Sequence, residues 1–294
     1  MAYPVIDAPY GFKPINRLDG LPYAGATRQL PIANAYNQNI FYGDIVQISG
    51  GTIVRSSMSA ASSPGTAVAG TLGVFMGCQF TNPTTKQLQF SQYYPASTAA
   101  NDTLAFVVDD PRALFKVVVT TQSTSLANTS TTVGNLNPAY VGSNLYMVGA
   151  NGGVSGSTTT GDSKQSVSGA VVTSGTAGAG ARVTTALPWR MVGVVPETAV
   201  TYTGTVSGAV SASATVTLAA AVTGLIPGAQ VICPAGTGTL AGNYATVINV
   251  ATTTLTLNAA VTLADGDALT FVGYPEVLVA WNGNFHSYNN TTGV

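Results

Sequence analysis

Short apolar runs, each cut off by turn residues, fill most of this chain and leave little room for helices. Ile45-Val-Gln-Ile48 stops at Ser49-Gly-Gly51, and Thr52-Ile-Val-Arg55 follows, which is the pattern of a β-hairpin. Gly70 to Cys78 predicts a central strand, and Leu88–Tyr94, Leu104–Val108 and Lys116–Thr120 read as further strands. Weaker strand signals lie at Asn144–Val148 and Ala170–Thr173, before a strong one at Trp189–Val195. Low-complexity Gly156–Gly161 and Gly175–Gly180 read as loops. Only Asp109-Asp-Pro-Arg-Ala-Leu-Phe115 carries a helical signal, with Asp110 as N-cap and Pro111 at the first helical position. The sequence therefore predicts an all-β fold with a single short helical turn.

Residues 199–273 differ from the rest. Lys and Arg vanish there, and period-2 alternation becomes clean at Val216/Leu218, Val231/Cys233, Leu255/Leu257 and Leu269/Phe271. Gly224, Pro227-Gly228, Gly236–Gly242 and Asp265-Gly-Asp267 supply the turns. This predicts a small antiparallel β-sandwich or barrel. Glu276–Trp281 is one more strand, expected to pair with Met191–Val195. Segment 199–273 would then be an insertion in a parent domain made of 36–198 and 274–294. Residues 1–35 predict an extended arm, because Pro4, Pro9, Pro14, Pro22 and Pro31 recur too often for a helix or a central strand. Tyr3, Tyr10, Phe12 and Tyr23 alternate with those prolines as aromatic anchors, able to drape over a neighbour or pack on the arm's own domain.

Charge narrows the function classes. Asp, Glu, Lys and Arg make up 7% of the 294 residues, against about a quarter in ordinary soluble domains. A net charge of −1 predicts no nucleic-acid partner, since phosphate binding needs clustered cations. No apolar run is long enough to predict a membrane span. The start, Met1 to Tyr10, lacks the basic region and apolar run of a secretory signal, so synthesis in a cytoplasm is expected. Near-zero charge favours association, which suits a subunit packed beside copies of itself.

Catalytic chemistry lacks its usual parts. His286 is the single histidine, in an Asn-rich setting that predicts a surface or packing role. Cys78 and Cys233 are expected as reduced, buried thiols. One His and two distant Cys do not make a zinc site. Asp265-Gly-Asp267 lacks the further acids of a calcium loop and predicts a hairpin turn. Gly236–Gly242 has no Lys and is not a phosphate loop. Asn128-Thr-Ser130 and Asn290-Thr-Thr292 match glycosylation sequons that have no role without a secretory route. No enzyme activity, cofactor or metal is expected.

Gly11-Phe-Lys-Pro-Ile15, Arg17-Leu-Asp-Gly-Leu-Pro-Tyr-Ala-Gly25, Phe41-Tyr-Gly-Asp-Ile-Val46, Gly73-Val-Phe-Met-Gly-Cys78, Asp109-Asp-Pro-Arg-Ala-Leu-Phe-Lys-Val117 and His286-Ser-Tyr-Asn-Asn290 resemble motifs of a group of virion structural proteins of tailed bacteriophages, of marine or cyanobacterial type. The resemblance covers 1–120, 187–198 and 274–294. It implies a capsid-decorating (cement) protein: a non-enzymatic, β-rich subunit, often a homotrimer, that clamps the major capsid protein on the outside of the virion head. The assembly contacts would then fall on the arm, at Tyr3, Tyr10, Phe12, Lys13, Pro14 and Arg17. Two other readings stay open: a tail or fibre component, and a bacterial surface-layer protein or adhesin.

Overall fold

The computed structural model describes residues 9–56, 58, 70–120, 141–145, 147–148, 156–168, 187–195, 198, 201–225, 227, 229–233, 245–272 and 276–290. Tyr3, the 170–173 strand, the 175–180 and 236–242 loops and the 128–130 sequon lie outside them. The described chain is all-β, in sheets that are antiparallel save for one parallel strand pair, and none closes into a barrel. The strands are β1 (Lys13–Arg17), β2 (Arg28–Pro31), β3 (Ile45–Ser49), β4 (Thr52–Arg55), β5 (Thr71–Thr81), β6 (Leu88–Ser91), β7 (Leu104–Val108), β8 (Ala113–Thr120), β9 (Asn144–Leu145) and β10 (Met147–Val148). They continue with β11 (Ser166–Ser168), β12 (Trp189–Val194), β13 (Thr201–Thr205), β14 (Val210–Thr217), β15 (Gln230–Ile232), β16 (Ala245–Ala251), β17 (Thr254–Leu263), β18 (Ala268–Val272) and β19 (Glu276–Trp281).

The first sheet runs β10-β11-β8-β19-β12-β9, with β1 also on β8. β12 and β19 pair antiparallel, Met191 opposite Val279 and Trp189 opposite Trp281, as the sequence predicts. The second sheet runs β2-β7-β5-β3-β4, with β6 also on β5. Val74 packs in the core shared with the first sheet, while its neighbour Phe75 packs in a second core on the other face. β5 is thus covered on both sides, which is why Thr71–Phe75 reads as an unbroken buried run and not as an alternation. Gly50 (φ 56°) and Gly51 (φ 79°) close the β3–β4 hairpin, because a two-residue turn that follows strand twist needs φ positive at both positions.

The third sheet, β13-β18-β15-β16-β17-β14, is built wholly from residues 201–272. The eight alternating residues singled out above are all buried in its core. An isolated bridge, Val206 to Leu218, draws the ends of β13 and β14 together without closing the sheet. Asp265-Gly-Asp267 forms the β17–β18 turn, its carboxylates accepting from the Gly208 and Ala264 N–H groups at 2.7 and 2.8 Å. Cys78 and Cys233 are free and buried.

One expectation is corrected. Asp109–Phe115 forms no helix. Ala113 N–H donates to the Asp110 carbonyl (3.0 Å) and Arg112 N–H to Asp110 Oδ1 (2.8 Å), closing a single turn. Pro at the second position of such a turn is as favourable as at a helix start, and the pairing of β8 with both β1 and β19 takes the following residues. From Tyr10 onward the proline-rich segment packs on its own chain, one of the two arrangements that its sequence leaves open. Phe12 is fully buried, β1 pairs with β8, and β2 pairs with β7. Pro14 and Pro31 sit on strands that each pair on one side among the described residues, the edge setting in which proline is tolerated.

Candidate assembly surface

The expected contact residues separate once folded. Phe12 stacks on Trp189 at 4.5 Å, and Trp189 on Trp281 at 4.1 Å. Trp281 meets His286 edge-on at 5.4 Å. Phe12, which also meets Phe115 edge-on at 6.4 Å, is therefore part of an aromatic cluster through the core and is fully buried in the folded chain. Pro14 lies opposite Phe115 within the sheet. Tyr10 donates a hydrogen bond to Glu276, and Lys13 sits 4.2 Å over the Tyr10 ring. Burial, then the Glu276 hydrogen bond and charge, push the Tyr10 phenol well above its ordinary range, so it stays a donor. Lys116 Nζ completes the group at 3.1 Å from Glu276.

This cluster sits at the root of the 199–273 segment. Val195 N–H donates to the Glu276 carbonyl (3.0 Å), and Glu276 N–H donates to Thr198 Oγ1 (2.8 Å). The chain therefore leaves β12 and returns to β19 at one clamped point. Tyr10 ties the N-terminal strand to that point.

Arg17 does reach the surface, in a different role. Its guanidinium pairs with Asp19 (3.2 Å) and Asp110 (3.0 Å). Arg17 N–H donates to the Leu21 carbonyl (2.9 Å), and Leu18 N–H to the Arg112 carbonyl (2.9 Å). The loop from Arg17 to Pro22 is thereby pinned as a tip, and it holds Leu18 and Leu21 half in water, at 50% and 54% exposure. Sequence reasoning named Arg17 and missed these two leucines, although both stand in the quoted Arg17–Gly25 motif. The signal was two apolar residues flanking Asp-Gly, a pair that favours a turn and so exposure.

A second apolar region lies on β6, where Leu88 is 60% and Phe90 67% exposed. The Phe90 ring stacks against Phe106 at 6.4 Å. Beside it opens a cavity of about 490 Å³ lined by Tyr42, Met76, Gly77, Gln92 and Phe106. Its floor is a β-bulge, where Met76 and Gly77 both face Phe106 between the paired residues Phe75/Val107 and Cys78/Ala105. Gly77 holds φ 125°, and a Cβ there would meet the Ser91 carbonyl at 2.9 Å.

These surfaces offer apolar contact and, at β6, a strand that pairs on one side among the described residues. Cys78 borders the cavity, but burial pushes its thiol up to about 12, so it is no nucleophile at neutral pH. Asp44 is fully buried, with its pKa raised by burial against the pull of Arg55, the Phe41 N–H and Ser163. Its bonds to Ser163 Oγ (2.5 Å) and Phe41 N–H (2.9 Å) fasten loops together inside the protein. His286 is buried as packing, its Nδ1 accepting from Tyr288 N–H at 3.2 Å. Among the described residues no three His, Cys, Asp or Glu side chains gather where a metal could bind, and no helix is long and apolar enough to cross a membrane. Comparison with protein-family models, curated proteins and solved structures gives no match.

Proposed function

We propose that this chain is a non-enzymatic structural protein of a tailed-phage virion, which binds the major capsid protein on the outer surface of the head and stabilises the shell. The observation that carries this reading is the pinned apolar tip. Leu18 and Leu21 stand half exposed on a loop held by two ion pairs and by backbone bonds, so little ordering is lost when they are covered. The chain has too few charges for an electrostatic partner, which leaves apolar contact and backbone pairing as its means of binding. The motif resemblance points the same way. Many copies on a repeating lattice multiply a modest contact by avidity, and binding only the assembled shell stabilises that shell by linkage.

The test is a heat challenge of heads with the protein, without it, and with a Leu18→Asp/Leu21→Asp variant. Heads carrying the wild type should release their genome at a higher temperature than bare heads, and the variant should fail to bind. Equal survival of bare and decorated heads overturns the reading and favours a host-surface role.

A further inference from the structure

We infer that β6 is a two-fold contact through which a second copy of this chain extends the second sheet. β6 has β5 as its only strand partner among the described residues. Alternate residues along its outer side thus turn backbone N–H and C=O groups away from the sheet. Edge strands are ordinarily protected by charges, proline or a bulge. Gln87-Leu-Gln-Phe-Ser-Gln92 has no charge and no proline, and β6 pairs with β5 without a register shift.

The strand is complementary to itself. A two-fold axis through Gln89 pairs it antiparallel with its own copy, Leu88 facing Phe90 of the second copy and Phe90 facing Leu88. Each exposed apolar side chain then covers an exposed apolar side chain on the same face, the kind of cross-strand pair that stabilises sheets. Carried outward, the same symmetry brings Lys86 toward Gln92 of the second copy. The Gln92 amide donates to Asp162 (3.1 Å), so a cation approaches a carboxylate at each end of the contact. No like charges meet.

The strand is also set in place beforehand. Asn82 Oδ1 accepts from the Thr84 and Thr85 N–H groups, at 2.9 and 3.1 Å. Asn82 Nδ2 donates to Gln89 Oε1 at 3.0 Å. Asp102 receives the Thr81 N–H and hydroxyl at the base of the hairpin. The Phe106 stack holds the Phe90 ring. This contact is two-fold, unlike the three-fold association that the resemblance implies, and it requires no capsid.

Sedimentation velocity and light scattering on the purified full chain test it. The wild type should show a self-associated species whose mass is halved in Phe90→Lys, with at least a tenfold weaker association constant. Leu18→Asp/Leu21→Asp should leave that species intact, which separates this contact from the proposed capsid tip. Gln89→Cys fixes the register: directly opposed residues place their Cα atoms within disulfide range, so mild oxidation should yield a covalent dimer. A wild type that stays monomeric at millimolar concentration, a Phe90→Lys mass equal to that of the wild type, or a Gln89→Cys variant that does not cross-link overturns the proposal. Near-ultraviolet circular dichroism of each variant, matched to the wild type, shows that the fold is retained.

Discussion

His286 shows how far a single side chain can couple this fold to pH. It is buried between Trp281 and Tyr288, with the Tyr288 hydroxyl on Asp109 and Arg28 Nε on the same carboxylate at 3.0 Å. Burial lowers its pKa to about 4, outweighing Asp109, Asp110 and nearby backbone carbonyls, which favour the charged form. The unfolded value near 6.5 is higher, so the unfolded chain binds the proton more tightly. Stability from this group is full above about pH 6.5 and is lost as pH falls toward 4, a loss of roughly 3 kcal/mol at most. Urea midpoints between pH 7 and 4.5 should fall with acid, and His286→Leu should flatten that part of the slope. Phe12 gives the matching test of how the arm packs. Truncating a fully buried aromatic costs about 3–5 kcal/mol, so Phe12→Ala should lower the urea midpoint steeply. An unchanged midpoint would return Phe12 to the surface.

At the scale of elements, what the sequence made legible depended on whether one face or two were buried. The insert strands each have one face toward a core, so Val216/Leu218 and Leu269/Phe271 alternate cleanly and were identified by residue. The β12–β19 pairing was legible because both runs are apolar with aromatic ends. The arm stays open between two arrangements in the sequence because its prolines mark edge strands as readily as free coil, and only tertiary pairing with β7 and β8 decides between them. The apolar surface was missed because Leu88 and Phe90 look like core residues until β6 is known to be an edge. Glycines mark where strands cross closely. A Cβ on Gly73 would lie 2.0 Å from the Val108 carbonyl oxygen, which is backbone and cannot swing aside. Gly73→Ala should therefore part β5 from the end of β7 and cost more than the 1–3 kcal/mol typical of overpacking, read from thermal unfolding. Gly50→Ala, with open space around it, should cost only its φ strain and destabilise far less.

Across the whole molecule, the cores fall into two groups. The two parent cores share β5 of the second sheet, which sends Val74 into one and Leu72, Phe75 and Cys78 into the other, so neither core can be lost without exposing the other. The third core takes every one of its buried residues from Val206 to Phe271, and the partly buried residues packed on it, Tyr202, Val222 and Val250, belong to the same segment. The covalent links to the parent leave and return at the one point clamped by Thr198 and Glu276. Cooperativity follows shared burial, so the parent should unfold as one unit and 199–273 as another. Differential scanning calorimetry should resolve two transitions. Val231→Asp, a charge placed in the third core, should shift one of them and leave the other in place. The segment 199–273 expressed alone should give a dispersed, β-rich NMR spectrum. The insert contains no Lys or Arg, and its two acids, Asp265 and Asp267, are engaged by backbone N–H groups, so its transition should barely move with salt. A single transition that moves as a whole in Val231→Asp, together with a random-coil spectrum from the isolated segment, would mean that the clamp at Glu276 transmits packing between the units and does not merely anchor the insert.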